Sequence, residues 1–133
     1  MIGWVGDIEE ATVSNTNFRT VLFTGEHTQL TVMRLQKGEE IGAEAHDDRD
    51  QFIRVETGTA RVELGREKGA VDETHELGDD WVAIIPAGTW HNVVNIGDGD
   101  LKLYSLYSPA EHPDGTVHVT KAEADAAEAE HGH

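Results

Sequence analysis

The sequence predicts an all-β fold, a sandwich or barrel of short strands. Runs of four to eight residues rich in Val, Ile, Leu, Phe, Thr and Tyr recur along the chain, and such residues suit a pleated surface. The breaks between these runs are mostly clusters of Gly, Asp, Asn or Pro, which favour turns. Strong helix-forming composition is confined to residues 121–130.

The elements follow in order. Residues 1–17 carry Trp4, Val5 and Ile8 among polar residues with no clear period, so an irregular or edge-strand lead-in is expected. Residues 18–24 are β-branched and aromatic and predict a strand, closed by a turn at 25–27. Residues 29–36 alternate, with Leu30 and Val32 on one face and Thr31, Met33 and Leu35 on the other. Residues 51–57 and 59–64 flank Gly58 at hairpin spacing. An exposed loop at 65–69, a polar strand at 71–77 and a turn at 78–80 come next. The apolar run 81–85 ends at Pro86. Strands are expected at 89–95 and 101–107, separated by a turn rich in Gly and Asp. Residues 109–120 read as an extended crossing, and 121–133 as an acidic tail containing a short helix or a frayed end. With no repeat and no linker, residues 1–133 read as one domain, with its core over 18–108.

Composition narrows the function. There is no Cys, so disulfides and thiolate sites do not enter. No apolar run is long enough to span a bilayer, and the N-terminus lacks a basic-then-apolar signal, so a soluble cytoplasmic protein is expected. Acidic residues outnumber basic ones 26 to 10, a formal net charge of -16. Such a surface repels nucleic acid and anionic membranes. It suits either an ordinary acidic protein or one from a salt-rich, halophilic cytoplasm. If self-repulsion is significant, the melting temperature rises with salt, because the Debye length falls from about 10 Å at 0.1 M to about 3 Å at 1 M. A flat or falling melting temperature between low and molar sodium chloride selects the ordinary reading.

The chemistry gathers in residues 38–58 and 86–95. Glu44 and His46 are two apart, which on a strand places them on one face. A short turn then brings Gln51 back beside them, and Pro86, Gly88, His91 and Asn95 follow at fixed spacing. These segments resemble the two motifs of the cupin superfamily. The first motif runs Gly, five residues, His-x-His, three or four residues, Glu, six residues, Gly. Gly38, His46 and Gly58 match it, with Glu44 and Gln51 standing where His and Glu are usual. The second motif ends Pro-x-Gly-x-x-His-x-x-x-Asn, which Pro86, Gly88, His91 and Asn95 match in full; its opening Gly is replaced by Asp80. The resemblance implies a double-stranded β-helix, the jelly-roll barrel. It also resembles the small mannose-6-phosphate isomerase-like cupins.

By this resemblance Glu44, His46, Gln51 and His91 are the metal-ligand positions. Two imidazoles, a carboxylate and a neutral amide suit Fe, Mn, Zn or Ni as the divalent ion. The alternative is a metal-free pocket in which Glu44 and Gln51 hydrogen-bond the two imidazoles. Asp47, Asp48 and Asp50 read as solvated turn residues, and His27 and His75 as surface residues. His131 and His133 lie on a terminus that makes a poor site. Alternation from Gln51 sends Ile53 and Val55 inward and Phe52, Arg54 and Glu56 outward. Residues 107–113, which include Tyr107, Glu111 and His112, follow the last strand and read as a packing arm or dimer contact, the alternative being a segment folded over the barrel mouth.

Three functions remain open. One is a metal-dependent enzyme of dioxygenase or isomerase type on a small organic substrate, with Glu44 also serving as base. Another is a sugar-phosphate isomerase using Arg49 and Arg54 for the anion. The last is a non-enzymatic module binding a small molecule or metal. A homodimer is expected, with Phe52, Trp90 and Trp4 forming an apolar outer face that needs cover.

Overall fold

The computed structural model describes residues 2–131; the side chains of Glu130 and His131 are left aside, and His133 lies outside the described residues. Nine strands and two helices follow the order α1 (Ile8–Val13), β1 (Arg19–Thr24), β2 (Gln29–Leu35), β3 (Asp50–Thr57), β4 (Ala60–Gly65), β5 (Glu73–Leu77), β6 (Val82–Ile85), β7 (Trp90–Asn95), β8 (Leu101–Ser108), β9 (Val117–His118), α2 (Lys121–His131). The larger sheet has the strand order β6-β3-β8-β2-β1-β9, and the smaller one β5-β4-β7. All pairings are antiparallel.

The inward faces of the two sheets meet in one core. Met33, Leu35, Ile53, Val55, Val62, Val93, Leu101 and Leu103 are each at most 1% exposed. Ile53 and Val55 therefore point inward, as strand alternation requires.

Residues 51–64 are not a hairpin. β3 pairs with β6 and β8, whereas β4 pairs with β5 and β7 in the other sheet. Gly58, at φ +105°, carries the chain across, and its Cα lies so close to β8 that an added Cβ would stand 2.8 Å from the Asp100 carbonyl oxygen. Short spacing around a glycine shows only that the chain turns, not which partners the strands take afterwards. Asp80, standing where the motif has Gly, adopts φ +72°. Asp tolerates this left-handed conformation better than most side chains, and here its carboxylate accepts a hydrogen bond from Arg54 Nη2 at 3.0 Å.

Asn95 ties the small sheet to the large one. Its Nδ2 donates to the Leu35 and Gly99 carbonyls at 3.0 and 2.9 Å, and its Oδ1 accepts from Gly97 N at 3.0 Å. A buried amide satisfied on both sides fixes the end of β7, and with it the register of His91.

The lead-in corrects the expectation of irregular chain or edge strand, because residues 8–13 form a helix. Asp7 is the N-cap and accepts from Glu10 N at 3.1 Å, and Glu9 and Glu10 occupy the positive end of the helix dipole. The Asp-x-x-Glu start was the available signal. Only Thr12 of this helix is buried, so the segment lacks the apolar period that announces most helices. At the other end, α2 is a helix rather than a frayed end. Thr120 Oγ1 accepts from Glu123 N at 3.2 Å, and Ala124, 3% exposed, joins the core. No described helix is long and apolar enough to cross a membrane.

Candidate metal centre

Glu44 and His46 do not share a strand. Residues 41–47 follow an irregular path along β7, held in part by a bridge in which Glu44 N donates to the His91 carbonyl and His91 N to the Glu44 carbonyl, both at 2.9 Å. This bridge sets Glu44 beside His91. Gly88, at φ +82°, donates its N–H to the His46 carbonyl at 2.8 Å and fixes the second imidazole from the Pro86 turn. Asp50 Oδ1 accepts from Ala87 N at 2.9 Å, steadying that turn.

The side chains of Glu44, His46 and His91 converge, with one ligand atom from each lying within 4.8 Å of the others. Glu44 Oε1 stands 3.6 Å from His46 Nε2 and 3.5 Å from His91 Nε2. These separations are too long for good hydrogen bonds. They are close to the roughly 3.0–3.4 Å that separates neighbouring ligands about 2.1 Å from a shared octahedral or tetrahedral ion.

The far side of each imidazole decides its tautomer. His91 Nδ1 lies 3.0 Å from the Thr89 carbonyl oxygen, and His46 Nδ1 lies 3.2 Å from Glu111 Oε2. Neither oxygen has a proton to give, so each Nδ1–H is the donor. In the neutral imidazole each Nε2 then carries a lone pair toward Glu44. Both Nε2 atoms are buried and lack a hydrogen-bond partner. Two lone pairs and a carboxylate oxygen around one buried point constitute a donor set suited to a cation. Burial pushes the Glu44 carboxyl up, but the two imidazoles more than offset this and hold it well below the usual carboxylate range. For His46, burial acts downward, and Glu44 and Glu111 outweigh it to give a raised value.

Gln51 is 2% exposed on β3. Its Nε2 approaches Ser105 Oγ at 3.4 Å, while its Oε1 is buried without a partner. The Gln51 amide thus turns to Ser105 rather than to an imidazole. Asp47, Asp48 and Asp50 are exposed and do not join the cluster, and His27 and His75 are exposed as expected.

Glu111 is singled out by the sequence without a role, and its contact with His46 is what sequence reasoning missed. The segment after β8 folds over the barrel mouth rather than serving only as a packing arm. Gln29, fully buried on β2, organises it: its Oε1 accepts from Glu111 N and His112 N at 3.1 and 3.0 Å, and its Nε2 donates to the His112 carbonyl at 2.7 Å. Arg49 Nη1 donates to Glu111 Oε2 at 2.7 Å, and its Nε to the Ala110 carbonyl at 2.9 Å. The only sequence signal was a Glu-His pair between Pro109 and Pro113, directly after a strand.

A cavity of about 280 Å³ opens over the cluster, lined by Glu44, His46, Lys68, Trp90 and Glu111 among others. Trp90 thus faces this cavity and does not belong with Phe52 on an outer face. The two stand on different sheets, which the linear sequence does not reveal.

The sequence model of the family described as "Cupin domain" matches residues 31–107. The uncharacterized protein YrkC of Bacillus subtilis (strain 168) is 50% identical over 125 residues, covering 94% of this chain and 67% of that protein. The uncharacterized protein L612 of Acanthamoeba polyphaga mimivirus is 42% identical over 122 residues, covering 91% and 74% respectively. The crystal structure of BH2720 from Bacillus halodurans superposes with a TM-score of 0.91 at 50% identity, over 92% of this chain and 93% of that one.

Proposed function

This chain belongs to the cupin family, and on that premise we propose that it holds one divalent transition metal at Glu44, His46 and His91, with Gln51 completing the set, and acts as a metal-dependent enzyme on a small organic substrate. The observation that supports this most is the pair of buried, unpartnered Nε2 atoms facing the Glu44 carboxylate. When bound, a metal supplies Lewis acidity and open positions for a bidentate substrate or O₂. The chain's own residues fix the imidazole tautomers through Glu111 and Thr89. They also keep the site enclosed, with the His46 and His91 side chains 9% and 3% exposed. Glu44, its side chain 20% exposed, is the carboxylate that can take a substrate proton. The test is metal content per chain by mass spectrometry, after growth in mixed metals and dialysis without chelator. The reading requires about one equivalent, and a metal-free wild type ends it. A thermal-shift screen of metabolite pools then narrows the substrate.

The sugar-phosphate isomerase reading is weaker. Arg49 is committed to Glu111 and Asp48, and Arg54 to Asp80 and Glu56. Neither guanidinium is left for a phosphate in the metal cavity.

Glu111 orients His46 through its Nδ1–H, so Glu111→Gln should lower metal affinity by about 10–100-fold, the usual effect of losing an outer-shell carboxylate. The check is competition with a chromogenic chelator; unchanged affinity refutes the role.

We also propose that the chain forms a homodimer through the outer face of the large sheet. Edge strand β6 exposes Ile84 at 67%, Trp81 just before it is 61% exposed, and Phe52 stands in register with Ile84. Light scattering at micromolar concentration should give twice the chain mass, and a monomer mass removes this proposal.

A further inference from the structure

Beside the metal centre lies a second cavity, of about 380 Å³, between β1, β9, α2 and the crossing segment. Arg19, His112 and His118 line it, and it shares Glu111 and Glu128 with the cavity over Glu44 and His46. Arg19 is 2% exposed. A guanidinium stays charged even when buried, and it has donors but no acceptor. Arg19 Nη1 lies 3.1 Å from His118 Nδ1, which must therefore accept, so His118 is neutral. Arg19 Nε is buried without a partner.

His112 is the neighbouring group. Its ring stands edge-on to Tyr107 at 5.3 Å and to His118 at 6.5 Å. Burial first, and then the charge of Arg19, push it down to about 3, so it too is neutral at ordinary pH. Its Nε2 is likewise buried and unpartnered. Among the described residues Arg19 is therefore the only cation lining this cavity. A buried cation with an unused donor is costly unless an acceptor arrives.

We propose that this cavity is a carboxylate-binding subsite, in which Arg19 takes the carboxylate of a small monocarboxylic acid. A planar carboxylate matches the guanidinium fork. The cavity also faces Glu111 and Glu128, in a chain of net charge -16, so one negative charge is accepted more readily than the two of a phosphate. The shared walls place the rest of such an acid toward Glu44, His46 and His91. The subsite therefore names a substrate class for the proposed metal centre and rests on that reading for its catalytic role, although not for binding itself.

The experiment uses propionate as probe, propionamide as its neutral counterpart, and inorganic phosphate. Binding is followed by NMR at the Arg19 Nε–H and the His112 and His118 ring signals. Propionate is expected to saturate these signals and propionamide to leave them unmoved, with Arg19→Lys, which keeps the charge but loses the fork, weakening propionate at least tenfold. The comparison of propionate with propionamide needs no variant, so it stands even if Arg19→Lys fails to fold. Equal binding of the two probes, unchanged binding by a folded Arg19→Lys protein, tighter binding of phosphate, or shifts confined to His46 and His91 each overturn the subsite. Metal content separates the two proposals. Arg19-dependent propionate binding by a protein that carries no metal removes the metal centre and keeps the subsite; a full metal equivalent with no propionate response does the reverse.

Discussion

His91→Ala and His46→Ala are each expected to strip most of the proposed metal from the purified protein, while Gln51→Ala should retain part of it. The ranking follows from ligand chemistry. An imidazole is a strong neutral donor to divalent transition ions, and each one here is already oriented, His91 by the Thr89 carbonyl and His46 by Glu111. A neutral amide oxygen binds more weakly, so its loss costs less. Gln51→Glu has the opposite sign, because it adds a carboxylate at a position where Oε1 has no hydrogen-bond partner to lose. Tighter binding should then come with altered turnover if the chemistry depends on the net charge of the site. Metal equivalents per chain, measured alongside circular dichroism to confirm folding, provide the check. A His91→Ala protein that keeps a full equivalent refutes the assigned centre. Binding should also weaken as pH falls, since protons compete for the same nitrogen lone pairs.

Gly58→Ala should be a strongly destabilising single-methyl change. Two independent costs meet at this residue. Its φ of +105° is disfavoured for any side chain, and a Cβ would sit 2.8 Å from the Asp100 carbonyl oxygen and 3.1 Å from Leu101 Cα. Backbone strain of this kind costs about 1–3 kcal/mol, and overpacking against fixed backbone adds about 1–3 kcal/mol. The contacted atoms belong to Asp100 and Leu101, where the chain enters β8, the strand between β3 and β2, so they have little room to move. A combined loss of about 3 kcal/mol corresponds to a melting temperature lower by about 10 °C for a domain of this size. Gly88→Ala is the control. It shares a positive φ, +82°, but nothing lies within 4 Å of its added Cβ, so only the strain cost applies. Equal melting temperatures for the two variants would show that the close approach to β8 carries no energy.

Local chemistry was legible from the sequence. Strand positions followed from β-branched runs between turn residues, and Ile53 and Val55 were placed inward by alternation alone. The motif spacing picked out Glu44, His46 and His91, because fixed intervals between Gly, Pro and Asn reflect local turns. The turn at Gly88 and the amide of Asn95 act within a few residues of His91, so the interval preserves the geometry. The sequence also set the charge, and the absence of Cys excluded thiolate ligands.

Tertiary structure decided everything that depended on which segments pair across the barrel. The chain turns at Gly58 in either case, but only the sheet partners show that β3 and β4 part company. Trp90 and Phe52 read as one apolar face until two sheets separated them. Glu111 lies 65 residues from His46 in sequence and reaches it because a buried Gln29, on a third segment, binds the backbone of Glu111 and His112. Arg19 becomes a buried cation only when β9, α2 and the crossing close around β1. A linear sequence encodes periodicity and turn chemistry directly, because these act between neighbours. Burial and ion pairing between distant residues arise only once the chain has closed, so the cluster of Glu44, His46 and His91 was readable and the groups that orient it were not.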